Sequence, residues 1–214
     1  MVLDMFTLAS TSSDVLPLLE FLLKFIGGIG AFWLFVIGFR RYKKDQTWKR
    51  NEFVATEVKE FNADPMCRNA MYMLDWPERY IYFFPDQPDY ASRFAKVDRG
   101  ILRRALQYHE LRGGDINTIR FTDEEVAIRD SFDQFFSYFE RFYQFVEADL
   151  ITPSELKPYL NYWIDMISFS LEPNLRETLY HYVSRYHYTG TASLFNAFGK
   201  NISPTSDIMD TLNP

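Results

Sequence analysis

Residues 16–39 read LPLLEFLLKFIGGIGAFWLFVIGF, and this stretch decides what kind of chain it belongs to. Fifteen consecutive residues from Phe25 to Phe39 carry no charge, and Leu18–Phe39 makes 22 residues. A helix rising about 1.5 Å per residue needs roughly 20 to cross the hydrocarbon core of a bilayer. Glu20 and Lys24 interrupt only the N-terminal part, spaced i,i+4 so that they can pair or reach toward headgroups. Arg40, Arg41, Lys43, Lys44, Lys49 and Arg50 follow, opposed only by Asp45. A cleavable signal peptide is disfavoured, because the preceding residues are acidic and RRYKK follows where a small-x-small site belongs. A buried core helix is disfavoured by the length of the apolar run and its dense basic flank. The expectation is one transmembrane helix over 16–39, after a short extracytoplasmic tail (1–15) and before a basic juxtamembrane segment (40–50). Tyr42 and Trp48 suit the membrane interface better than Trp33 near mid-span.

Orientation follows from the flanks. Residues 1–23 contain no Lys or Arg, whereas 40–50 contain six. The positive-inside rule puts the N-terminus outside and the C-terminal body in the cytoplasm, at the inner (plasma) membrane or an internal membrane. A lone Cys67 agrees with a reducing compartment and excludes a disulfide framework within the chain. The Asn201-Ile202-Ser203 sequon then lies on the wrong side for glycosylation.

The charge divides with the architecture. The net −6 of the 214 residues is −2 over 1–39, +5 over 40–50 and −9 over 51–214. A body of −9 argues against nucleic-acid binding, which needs basic surface to displace counterions. With 47% hydrophobic residues and 39 large rings, the chain is neither disordered nor collagen-like.

Beyond the basic block the pattern is mainly α. Phe53, Val54, Glu57, Val58 and Phe61 recur at helical spacing over 46–62. Asp64-Pro65 reads as a cap and a first-turn proline, opening a helix through Met66, Ala70, Met73 and Leu74 to Trp76-Pro77. Tyr80–Phe84 and Thr118–Phe121 are candidate strands, which would pair as a minor two-stranded β element. Between them Tyr90–Leu111 reads as a helix stopped by Gly113-Gly114. Thr122 and Glu125 form a capping box. Ile128, Phe132, Phe135, Phe139, Phe142 and Val146 then recur at alternating spacings of 4 and 3, an aromatic heptad stripe. A second box at Thr152 and Glu155 precedes Leu156, Leu160, Trp163 and Ile167. The short loop between these helices predicts an antiparallel αα-hairpin at the heart of the domain. Further helices are expected from Pro173 to about His187 and over Ala192–Phe198, closed by Gly199. The helical cytoplasmic domain thus covers 51–203, followed by a flexible tail over 204–214.

Three stretches carry a family resemblance: ATEVKEF (55–61), YMLDW (72–76), and IRDSFDQFFSYFERF (128–142) with LITPSELKPYLNYWIDMI (150–167). Across 46–75 and 119–168 the chain resembles an uncharacterised family of bacterial single-pass membrane proteins with a helical cytoplasmic domain. The resemblance implies that architecture and supplies no catalytic residue.

The search for chemistry is largely negative. The sequence holds no phosphate loop, H-E-x-x-H, C-x-x-C or G-x-S-x-G motif. A metal site would have to gather His109, His181 and His187 from separate segments, so no metal and no cofactor are implied. Asp130 and Asp133, spaced i,i+3, could form an acid/base or cation pair, but acids near a helix start interleaved with Arg129 and Arg141 read better as a solvated face. Gly27 and Ala31, with Gly30 nearby, form a small-xxx-small face that lets membrane helices approach closely. Tyr180, Tyr182, Arg185, Tyr186 and Tyr188 combine residue types enriched at protein interfaces, so they are a candidate partner surface; ordinary packing is the alternative.

The sequence therefore points to a membrane-anchored, non-enzymatic interaction or assembly module whose partners are the membrane and another protein or itself. One rival is a membrane-tethered enzyme or defence effector assembled from Asp130, Asp133, Arg129 and His109. Another is a small homo-oligomer associating through the glycine-rich helix.

Overall fold

The structure is a computed structural model, and it describes residues 7–107 and 120–204. It is mainly helical, with one long apolar N-terminal helix and a small two-stranded sheet. The chain divides into two compact units, residues 1–50 and 51–214.

The first unit is helix throughout its described length, the opening part of α1 (Thr7–Ala63). From Glu20 to Arg50 the side chains are exposed, apart from half-buried Val36 and from Leu22, which is not described. Phe21–Phe25 and Phe35–Phe39 stack at i,i+4 along the helix surface. Lys24 pairs with Glu20 at 2.7 Å, as their spacing suggests. This helix is long and apolar enough to cross a membrane.

The second unit starts with the last turns of α1, whose Val54, Val58 and Phe61 are buried. Asp64 then caps α2 (Pro65–Asp75): its Oδ1 accepts from the Met66 and Cys67 amides at 2.8 and 3.0 Å, and Pro65 opens the helix. At the other end of α2, Arg99 donates to the carbonyls of Met73 and Leu74 at 2.6 and 2.8 Å, taking up two of the helix's unbonded C-terminal acceptors.

The sheet differs from its sequence-based expectation. Strand β1 (Glu78–Tyr82) overlaps the expected Tyr80–Phe84 but starts and ends two residues earlier, and its antiparallel partner is β2 (Phe94–Asp98), with Tyr80 opposite Lys96. Arg120 and Phe121 form no strand, and Thr118 and Ile119 lie outside the described residues. The helix expected over Tyr90–Leu111 is accordingly broken into a short 3-10 turn (Ala91–Arg93), β2, and α3 (Arg99–Leu106). The reason is local. In Phe94–Asp98 the side chains of Ala95 and Val97 are buried with exposed Lys96 between them, a period of two. Asp98 then takes the Ile101 amide at 2.8 Å and starts α3 afresh. The Gly113-Gly114 stop lies outside the described residues.

Helix α4 (Asp123–Glu147) is the core of the unit, and it lies closest to α2, α3 and α7 (Thr189–Ala197). Its capping box is present on both sides: Thr122 Oγ1 accepts from Glu125 N–H at 3.2 Å, and Glu125 accepts from Thr122 N–H at 3.1 Å. Ile128, Phe132, Phe135, Phe139 and Phe142 are fully buried, as their spacing predicts, while Val146 is half-buried. Phe136, outside that stripe, is fully buried as well, because α7 and α6 (Pro173–Arg185) cover a second side of the helix. Phe61 reaches in from α1 and contacts Phe135, Phe139 and Phe142.

Helix α5 (Pro153–Asp165) begins where Glu155 accepts both the backbone N–H and the hydroxyl of Thr152, at 2.7 and 3.0 Å. It buries Leu156, Leu160 and Ile164, meets α4 through the Phe135–Trp163 ring contact, and runs into a π-helical turn (Met166–Ser170). Helix α7 starts at Thr189, earlier than the expected Ala192, and ends at Ala197; Gly199 follows its C-cap Phe198 with a φ of +75°, which suits a residue without Cβ.

Candidate functional site

The strongest polar constellation in the second unit joins α4 to α6 and the start of α7. Asp133 lies one turn beyond Arg129 on α4, facing the Tyr182–Tyr188 segment. Its Oδ1 accepts hydrogen bonds from the Tyr182 hydroxyl at 2.5 Å and the Tyr188 hydroxyl at 2.8 Å. The two phenol rings stack with centroids 6.4 Å apart. Burial pushes both phenols above the ordinary tyrosine range, and the adjacent Asp133 carboxylate pushes further in the same direction. They therefore remain neutral donors to a carboxylate acceptor.

Arg129 closes the cluster. Its guanidinium lies over the Phe121 ring at 4.5 Å and near the Tyr182 and Tyr186 rings at 5.2 and 5.1 Å. It also donates to the Ala105 carbonyl at 2.8 Å, at the end of α3, and to the Tyr186 hydroxyl. One turn along the same side of α4 beyond Phe136, Glu140 performs the cap of α7: its carboxylate accepts from Gly190 N–H at 3.0 Å and from Thr191 N–H. An anion at a helix N-terminus satisfies amides that have no intrahelical partner. Chemically, the hydrogen bonds of half-buried Asp133, Arg129 and Glu140 fasten helices to one another.

The other side of α4 carries a second set. Arg141 pairs with Glu57, and with Glu60 at 3.1 Å, tying α4 to the end of α1. Gln134 donates to Asp64 at 3.0 Å. Cys67 is buried beside that cap, and its burial, with the Asp64 carboxylate next in weight, pushes the thiol up and keeps it protonated. A thiol so held is a poor nucleophile. Among the described residues no group of three or more His, Cys, Asp or Glu side chains is placed to hold a metal ion.

An open groove of about 570 Å³ runs between β2, α3 and the start of α4, with Phe94, Lys96, Ile101, Arg104, Thr122 and Glu125 among its lining residues. Arg104 stands 3.7 Å from Glu125, which also belongs to the α4 capping box.

The sequence-derived residues fall as follows. Asp130 is exposed while Asp133 is turned to the tyrosines, so the two carboxylates do not face one another. His109 lies outside the described residues. His181 is buried 3.4 Å from Glu177, and His187 is exposed with a positive φ of 57°. Of the tyrosine cluster, Tyr180 and Tyr182 are buried and Tyr188 is half-buried; only Arg185 and Tyr186 are exposed. That cluster is therefore chiefly the internal packing beneath α4. In the first unit Gly27, Gly30 and Ala31 are exposed, and a Cβ added at either glycine would meet nothing within 4 Å. Arg40, Arg41, Lys43 and Lys44 are exposed too. The sequence reading missed Glu140 and Arg99 as caps, and Tyr188 as a partner of Asp133. No local signal marks these pairings, because each joins segments remote in the chain. No protein-family model, curated protein or solved structure matches this chain.

Proposed function

We propose that this chain is a membrane-anchored, non-enzymatic interaction or assembly module. In this reading α1 crosses the bilayer once over residues 16–39 with its N-terminus outside, and the helical domain works in the cytoplasm. The observation that carries it is the apolar sleeve on α1. Phe32 is 67% exposed, Leu34 73% and Phe35 68%, within a run of large apolar side chains on every side of the helix. At about 25 cal/mol per Å² such a surface is strongly unfavourable in water and favourable in a hydrocarbon layer. The positive-inside rule applied to Arg40–Arg50 supports the orientation.

The non-enzymatic part of the proposal is supported by the engagement of Asp133, Arg129 and Glu140 in joints between helices. In this reading α4 and α5 form an antiparallel hairpin joined at Phe135 and Trp163, set among the closer neighbours of α4, which are α2, α3 and α7. Arg185 and Tyr186 remain as the exposed part of the expected partner surface.

The test is crosslinking with mass spectrometry in native membranes. Reproducible links from residues 51–203 to one other protein support the module. Links only between copies of this chain favour the homo-oligomer, in which Gly27, Gly30 and Ala31 pack at the membrane-helix interface. No intermolecular link under conditions that crosslink known complexes counts against both.

A further inference from the structure

The apolar run of α1 ends at Phe39, and Arg40, Arg41, Lys43 and Lys44 follow directly, all exposed. Among the described residues none of these four takes part in an ion pair. Helical geometry at about 100° per residue places the four within a sector of roughly 160°, with Tyr42 on the opposite side. At about 1.5 Å per residue they lie roughly 1.5–7.5 Å past Phe39 along the axis. That is the depth of one headgroup layer, since the polar regions add about 10–15 Å to the full bilayer. Lys43 Nζ turns back to lie 4.7 Å over the Phe39 ring, holding its charge at the edge of the apolar run. Lys49 and Arg50 stand roughly 15 Å past Phe39, about a Debye length outside the headgroup layer at physiological salt.

From this placement we propose that Arg40, Arg41, Lys43 and Lys44 form a one-sided binding band for anionic phospholipid headgroups, and that the helix gathers such lipids around itself. The proposal rests on the reading that α1 crosses a bilayer. Two adjacent arginines present forked donors matched to phosphate oxygens, and two lysines supply compact charge beside them. A lipid headgroup meets this band alone. A nucleic acid would extend beyond it and bring its own negative charge against a body of net −9, so the lipid is the better fit.

The experiment uses the full chain reconstituted in phosphatidylcholine bilayers that contain a trace of spin-labelled phosphatidylglycerol or spin-labelled phosphatidylcholine. Electron paramagnetic resonance reads the fraction of each label immobilised by the protein. The expected result is about a threefold or greater preference for phosphatidylglycerol at low salt, falling toward equality near 1 M salt, where the screening length is about 3 Å. The R40Q/R41Q/K43Q/K44Q variant loses the preference while still immobilising phosphatidylcholine, whereas K49Q/R50Q keeps most of it. Equal immobilisation of the two labels by the unaltered chain overturns the lipid proposal and leaves the membrane span standing. Full preference in the quadruple variant overturns the assignment to these residues. Immobilisation of neither label overturns the transmembrane reading itself.

Discussion

Asp133 shows how a side chain that invites a catalytic interpretation acquires a structural one. Its carboxylate receives two phenol hydrogen bonds, and charge-assisted bonds of this kind weaken when the acceptor is neutral. Asp133→Asn is therefore expected to destabilise the fold by about 1–3 kcal/mol, measured by urea unfolding of the full chain in mild detergent. An unchanged midpoint would show that the tie contributes nothing. The partner tyrosines set a pH window. Their phenols are pushed up in the folded state, so the unfolded chain releases these protons first as pH rises. Their stabilisation is complete below about pH 10 and is lost above it, while Cys67, also pushed up by burial, begins its loss above about pH 8.5. Unfolding followed against pH should show a plateau through neutrality and a decline on the alkaline side, shallower in Tyr182→Phe; a flat profile to pH 11 would contradict the burial of these groups. The sequence placed Asp130 and Asp133 on one helix, and their spacing suggested a pair. Periodicity reports which face a residue occupies and says nothing of which distant segment meets that face. The tyrosines that claim Asp133 are some fifty residues away.

At the scale of elements, the α4–α7 joint is the most specific feature. Glu140 accepts two amides at the start of α7, and a Cβ built on Gly190 would stand 2.8 Å from its Oε2. Glu140→Ala is expected to cost about 1–3 kcal/mol by leaving the two amides without their acceptor. Gly190→Ala displaces the same carboxylate, so its effect and that of Glu140→Ala should be strongly non-additive in a double-mutant cycle on unfolding free energies. Full additivity would dissociate the two sites. Local signals made much of the helical layout legible: the boxes at Thr122 and Thr152, the Asp64-Pro65 start, and the phenylalanine spacing of α4 all correspond to observed elements. Two differences between local pattern and fold have physical causes. The stretch Phe94–Asp98 reads as helix in the sequence although it is a strand, because Phe94, Val97 and Ile101 fit a period of 3–4 as well as Ala95 and Val97 fit a period of two. The heptad spacing does not reach Phe136, because a heptad describes one seam, whereas α4 is covered on several sides.

At the scale of the whole molecule, composition conceals two different chemistries. The hydrophobic fraction includes a sleeve suited to hydrocarbon and, separately, a phenylalanine-rich interior centred on α4. The net charge combines a +5 block with a −9 body. The helix long enough to span a membrane was legible from sequence because length and charge alone define it. The joints of the domain were not, because they depend on contacts between remote segments. The central claim, that α1 crosses the membrane with its N-terminus outside, is tested most directly by cysteine accessibility. In a Cys67→Ala background, Ser12→Cys and Thr205→Cys are treated separately with a membrane-impermeant maleimide on intact cells and after permeabilisation. The account predicts labelling of position 12 in intact cells and of position 205 only after permeabilisation. Labelling of position 205 from outside intact cells, or release of the protein from membranes by alkaline carbonate, would contradict it.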